Sequence, residues 1–229
     1  MIKYLIFFIL IFNPSLHTHE IKPSIMDITI LDGKASIEFK LNAETVLSGI
    51  DASLYDDTNN SPQFQKYDEF RALSAKEIER LVKEGDFNFL DKIKILSGNQ
   101  NKEVVLDKVE TFEEENSELP RDTILDLDLE LIDNSFSIQF DKKLGPVVIR
   151  QFEDLSKESV LFTTYLQPAE KSPLLTNQSR STPGKTIIEY LILGVEHIVP
   201  KGLDHILFII GIFFYALKFK PLLLQVTMF

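Results

Sequence analysis

A change of composition near Thr186 constrains this chain more than any other feature. The stretch from Glu20 to Lys185 is acidic and strand-patterned, whereas from Thr186 onward the sequence is almost continuously apolar. The overall figures, 44% hydrophobic and 26% charged residues in 229, are therefore an average over two unlike regions. Within the apolar run EYLILGVEHIVPKGLDHILFIIGIFFYALKFK stand His197, Asp204 and His205. A charged group at bilayer depth costs roughly 2.5–3.5 kcal/mol, and such residues usually face a protein interior, a water-filled cavity or an ion path.

The run divides into two predicted helical pieces, Thr186 to Val199 and Leu203 to Leu217, because Pro200-Lys201-Gly202 breaks the helix between them. Glu189 and Glu196 share nearly one face of the first piece, with His197 beside them. Asp204 and His205 open the second, whose apolar core is about 22 Å long at the helical rise, short of a hydrocarbon core of about 30 Å. Snorkelling by Lys218 or help from the preceding piece would supply the rest. Imidazole and carboxylate together suit divalent transition metals such as nickel, cobalt or zinc. A structural role competes on equal terms: Asp204 as a helix cap and His205 at the interface.

At the N-terminus Lys3 precedes the apolar YLIFFILIF, and Asn13-Pro14-Ser15 follows, the layout of an export signal over residues 1–18. Lys218 and Lys220 place the opposite end in the cytoplasm by the positive-inside tendency, so both cues put the intervening domain outside. A net charge of -11 with no basic patch excludes a nucleic-acid partner. The absence of cysteine excludes structural disulfides and a lipid-anchored lipoprotein.

Residues 19–167 read as an exported, mainly β domain. Asp32-Gly33 between SIMDITIL and ASIEFKL predicts a hairpin, since this dipeptide accepts the positive φ of a tight turn. Leu125, Leu127, Leu129 and Leu131 alternate with Asp126, Asp128 and Glu130, giving one buried and one solvated face. Strand rhythm continues through Phe136, Ile138 and Phe140, through Pro146 to Phe152 and through Ser159 to Leu166, at the spacing of a β-sandwich. Ser74-Ala-Lys-Glu77 is a capping box that opens a helical insertion with Ile78, Leu81 and Val82 on one face before Gly85. Phe87 to Leu96 predicts a second helix, and Glu113-Glu114-Glu115 a solvated loop. Residues 168–185, rich in Pro, Ser and Thr, read as a linker, and 186–229 as a membrane region. The expected fold class is thus a β-sandwich-like domain with a helical insertion, followed by α-helical transmembrane segments. No phosphate-binding Gly-rich loop, no Gly-x-Ser-x-Gly elbow and no histidine between Glu20 and Glu196 supports enzymatic chemistry in the domain.

The run Gly194-Val-Glu-His197-Ile-Val-Pro-Lys-Gly202-Leu-Asp204-His205-Ile-Leu-Phe208 resembles the start of the membrane portion of the HupE/UreJ family. The His-Glu-Ile-Lys-Pro start at His19 to Pro23, ahead of a β-rich exported domain, is similar too. The resemblance implies a bacterial cytoplasmic-membrane protein with its N-terminal domain outside, acting as a nickel or cobalt permease or a metal-handling accessory protein. It implies a divalent metal ion, nickel or cobalt, as substrate, with Asp204, His205 and His197 as candidate ligands or gate residues. Glu196 is a lesser candidate, as is His19, whose free amine and imidazole would chelate if processing followed Thr18. The alternative is a membrane-tethered binding or sensory domain whose helices act only as anchor. Pro221 suits the first turn of a further helix, yet Leu222 to Phe229 gives only about 12 Å, so the sequence predicts a longer protein.

Overall fold

The Asp32-Gly33 turn sets the centre of the fold. In the computed structural model, residues 20–84, 89–98, 100–116, 119–179, 207 and 211 are described. Asp32 (φ 47°) and Gly33 (φ 80°) both take the left-handed backbone that a two-residue hairpin turn demands. They join β1 (Ser24–Leu31) to β2 (Lys34–Leu41) in unbroken register from Leu31 opposite Lys34 to Ile25 opposite Lys40. Residues 131–134 brace the turn: Leu131 N–H donates to Gly33 O at 2.8 Å and Gly33 N–H to Asn134 Oδ1 at 2.7 Å.

The remaining strands are β3 (Ile93–Ser97), β4 (Gln100–Lys102), β5 (Val105–Thr111), β6 (Thr123–Glu130), β7 (Ser135–Phe140), β8 (Val147–Phe152), β9 (Val160–Leu166) and β10 (Leu175–Thr176). They form a six-stranded sheet in the order β5-β6-β2-β1-β8-β9 and a four-stranded sheet in the order β10-β7-β3-β4. Every pairing is antiparallel except β1 with β8, which run parallel. Period-two alternation decides the inner faces: Leu125, Leu127 and Leu129 of β6 are buried beside Ile37 and Phe39 of β2 and Met26, Ile28 and Ile30 of β1. Ile95, Phe136, Ile138 and Phe140 from the second sheet enter the same core, where the Phe39 and Phe140 rings lie 5.4 Å apart.

Three short helices lie between β2 and β3: α1 (Ala43–Ser48), α2 (Phe64–Arg71) and α3 (Ala75–Glu84). Asn42 caps α1 by accepting from Thr45 N–H at 2.7 Å, and Gly49 (φ 81°) ends it. The expected capping box opens α3, with Ser74 N–H donating to Glu77 Oε2 at 3.0 Å and Ile78 and Val82 turned into the core. The predicted stop at Gly85 lies outside the described residues.

Two expectations are corrected. The longest described helix has ten residues, about 15 Å at the helical rise, and none of the described helices is long and apolar enough to cross a membrane. The fold is mainly β with short helices, and the expected transmembrane helices are not part of it; their positions, 186–229, lie outside the described residues apart from 207 and 211. The predicted second helix over Phe87 to Leu96 is instead a 3-10 turn (Phe89–Lys92) running into β3. Ile93 and Ile95 alternate with Lys94 and pair with β7, so the period of two overrides the helical reading. The expected linker, over its described part, packs on the domain: Leu175 is fully buried in β10, and Ser172 Oγ accepts from Ile138 N–H at 2.9 Å. The chain divides into two units, Met1–Arg180 and Ser181–Phe229, and the elements above all belong to the first.

Candidate functional site

The metal candidates His197, Asp204 and His205, and the lesser ones Glu196 and His19, lie outside the described residues. Among the described residues no group of three or more His, Asp or Glu is placed to hold a metal ion. Asp126 of β6 joins a row of charges across the outer face of the large sheet. Register sets Lys108, Asp126, Glu38, Asp27 and Arg150 side by side on five successive strands. Arg150 grips Asp27 with both arms of its fork, at 2.6 and 2.8 Å, while Lys157 reaches Asp27 at 3.3 Å and Glu38 at 2.7 Å. Burial and the neighbouring Glu38 raise the Asp126 carboxyl above its ordinary value. For Lys157, burial alone would lower the ammonium, and the hydrogen bond and charge of Glu38 with those of Asp27 outweigh it and raise it. This is an internally matched ion row.

The acidic loop is likewise engaged. Glu113 accepts from Ala75 N–H at 3.0 Å at the start of α3, and the Glu114 carbonyl accepts from Arg71 at 2.9 Å. Arg121 is buried at 2% exposure and donates to Glu44 Oε1 at 2.6 Å, to Leu73 O at 2.7 Å and to Phe70 O at 3.2 Å. One guanidinium thereby ties α1 to the C-terminal end of α2. The second oxygen of Glu44 is buried with no hydrogen-bond partner among the described residues.

A cavity of about 330 Å³ opens where the first described residues enter β1. Its walls are largely apolar, with Pro23 and Ile25 at the entry to β1, Leu41 at the end of β2, Pro120 ahead of β6 and Val148 on β8. Ile21 N–H donates to Asp56 O at 2.8 Å, which holds the entering strand against the segment carrying Thr58. Tyr67 of α2, 1% exposed, lines the cavity. Burial, then the nearby Glu44 charge, pushes its phenol up to about 12, so it remains a neutral hydroxyl, hydrogen-bonded to the Asn42 side chain. On the rim, Lys40 is paired with Asp122 at 3.1 Å. Glu20 and Lys22 are exposed and make no ion pair among the described residues. Sequence reasoning did not anticipate this cavity, although Asn42 and Gly49 carry legible cap signals for the helix that forms one wall.

Comparison with known families finds a match to the C-terminal quarter of the chain. The family model described as HupE / UreJ protein matches residues 173–229 of this chain. The match agrees with the resemblance drawn from the Gly-x-Asp-His run, over a segment that starts just before β10 and contains Glu196, His197, Asp204 and His205. No curated protein matches the chain.

Proposed function

We propose that the chain handles nickel or cobalt at the bacterial cytoplasmic membrane as a permease or accessory protein, with the metal ion as substrate and His197, Asp204 and His205 as its ligands. The observation that carries this reading is the family match, because residues 173–229 contain all three candidates in the pattern Gly202-x-Asp204-His205. Borderline imidazole nitrogen with a carboxylate is a suitable donor set for both ions. The role is non-enzymatic, with the bilayer as partner and the β domain outside the cell. The export signal over residues 1–18 and the lysines at 218 and 220 support that orientation. Protease added to spheroplasts is then expected to digest the β domain, and protection until lysis would reverse the orientation.

The deciding measurement is nickel and cobalt content of cells making the complete protein. His205→Ala and Asp204→Asn are each expected to lower accumulation by about tenfold or more, the scale seen when a metal's ligand environment is disturbed. Unchanged accumulation would remove the ligand role. The cavity in the β domain favours one other reading, a membrane-tethered binding or sensory domain. It wins if deleting Ser24 to Leu166 abolishes function while His205→Ala leaves function and metal content intact.

A further inference from the structure

We propose that the cavity beside Tyr67 binds a small zwitterion with an apolar side chain, that is, a free apolar amino acid. Its volume of about 330 Å³ sits at the lower end of the range of small-molecule pockets, about 300–1,000 Å³, and therefore selects a small ligand. Apolar walls at Ile25, Leu41, Pro120 and Val148 match an aliphatic or aromatic side chain. Tyr67 adds a buried neutral hydroxyl, and the charged residues among the described lining are Glu20, Lys22, Lys40 and Asp122, so an apolar group is favoured beside Tyr67.

Charge is confined to the rim, and there it is of both signs. Glu20 and Lys22 are two residues apart, and both line the cavity. Neither is engaged in an ion pair among the described residues, whereas the other rim pair, Lys40 and Asp122, is already matched. A carboxylate alone would meet Lys22 but face Glu20, and an amine alone would meet Glu20 but face Lys22. An α-amino acid presents both charges next to each other and satisfies both. A phosphate is disfavoured because only one lysine among the described lining residues is uncommitted, and a metal because none of the described lining residues is a histidine. The proposal uses none of the residues of the metal reading and stands or falls independently of it.

The test is titration of L-leucine and L-phenylalanine into the purified full-length chain in detergent, followed by calorimetry and ligand-observed NMR. Saturable binding is expected, weakened about tenfold by Glu20→Gln or Lys22→Gln, as for loss of one charge-assisted hydrogen bond. Those side chains are exposed, so the variants keep the fold. Val148→Trp fills the cavity and is expected to abolish binding, with circular dichroism confirming that the variant is folded. 4-Methylpentanoate and isopentylamine, each carrying one of leucine's two charges, are expected to bind at least tenfold more weakly than leucine. The proposal is overturned by absence of saturable binding to the folded chain, by binding that neither rim variant changes, or by either singly charged analogue binding as well as leucine.

Discussion

At the scale of single residues, the buried groups make the sharpest predictions. Tyr67 has a folded-state pKa raised from 10.0 to about 12, so the fold favours the protonated phenol. Its stabilising contribution is complete below pH 10 and is lost as the pH rises through about 12. The difference in stability between the native chain and Tyr67→Phe should therefore shift by about 2–3 kcal/mol across that window. Absorbance of tyrosinate, native minus variant, is expected to titrate near 12; a midpoint near 10 would show the ring to be solvated. The Arg121–Glu44 pair is a second case. Both side chains are essentially inaccessible, so Arg121→Met strands a buried carboxylate and is expected to cost about 3–5 kcal/mol. The double change Arg121→Met with Glu44→Leu should recover much of that loss in thermal denaturation, because it removes the unpaired charge along with its partner. Nothing in the sequence marked either residue, since a lone Glu or Arg in an acidic chain reads as solvated surface.

Elements whose signals are local were legible, and those whose signals are non-local were not. The Asp32-Gly33 hairpin, the alternation of Leu125, Leu127 and Leu129, and the Ser74 capping box each need only neighbours in sequence, and each stands as read. Ser74→Ala should cost about 1 kcal/mol through loss of the α3 cap, measurable as reduced thermal stability. Glu77, the other half of the box, is held below the usual carboxylate range first by the Ser74 backbone N–H and then by its hydroxyl. Its contribution is present above the unfolded-state pKa and fades as the pH falls through the lower folded value, so the Ser74→Ala deficit should shrink in acid. By contrast β3 was read as helix, because Phe87 to Leu96 mixes apolar and charged residues at both periods and only its pairing with β7 selects the strand. The parallel β1–β8 pairing joins residues more than a hundred positions apart, and no local pattern encodes it. The cavity was hidden for the same reason: its walls come from separate stretches at residues 20–25, 40–45, 58, 67, 120–122 and 148. The metal candidates were legible as a motif, and the family match covers them, but their geometry lies outside the described residues.

At the scale of the whole molecule, the position of β10 decides where the β domain ends. Composition places the boundary after Gln167, because 168–185 is rich in residues that favour solvated backbone. The packing places it later. Leu175 is fully buried opposite Phe136, and Gln151 of β8, itself 1% exposed, donates from Nε2 to Thr176 O at 2.6 Å. Lys171 bridges Gln139, and the Ser172 hydroxyl satisfies the buried Ile138 N–H. A fragment ending at residue 167 would lose the Leu175 side chain from the core, at about 2–5 kcal/mol for a buried leucine, and would leave the Gln151 amide and the β7 edge without these partners. A fragment of residues 20–179 keeps all of them, along with every strand of both sheets. It is expected to unfold in urea as one cooperative transition, since both sheets share one core. The fragment of residues 20–167 should unfold at lower urea with a comparable slope, or fail to fold. Equal midpoints for the two fragments would show that β10 is a passenger and return the boundary to Gln167.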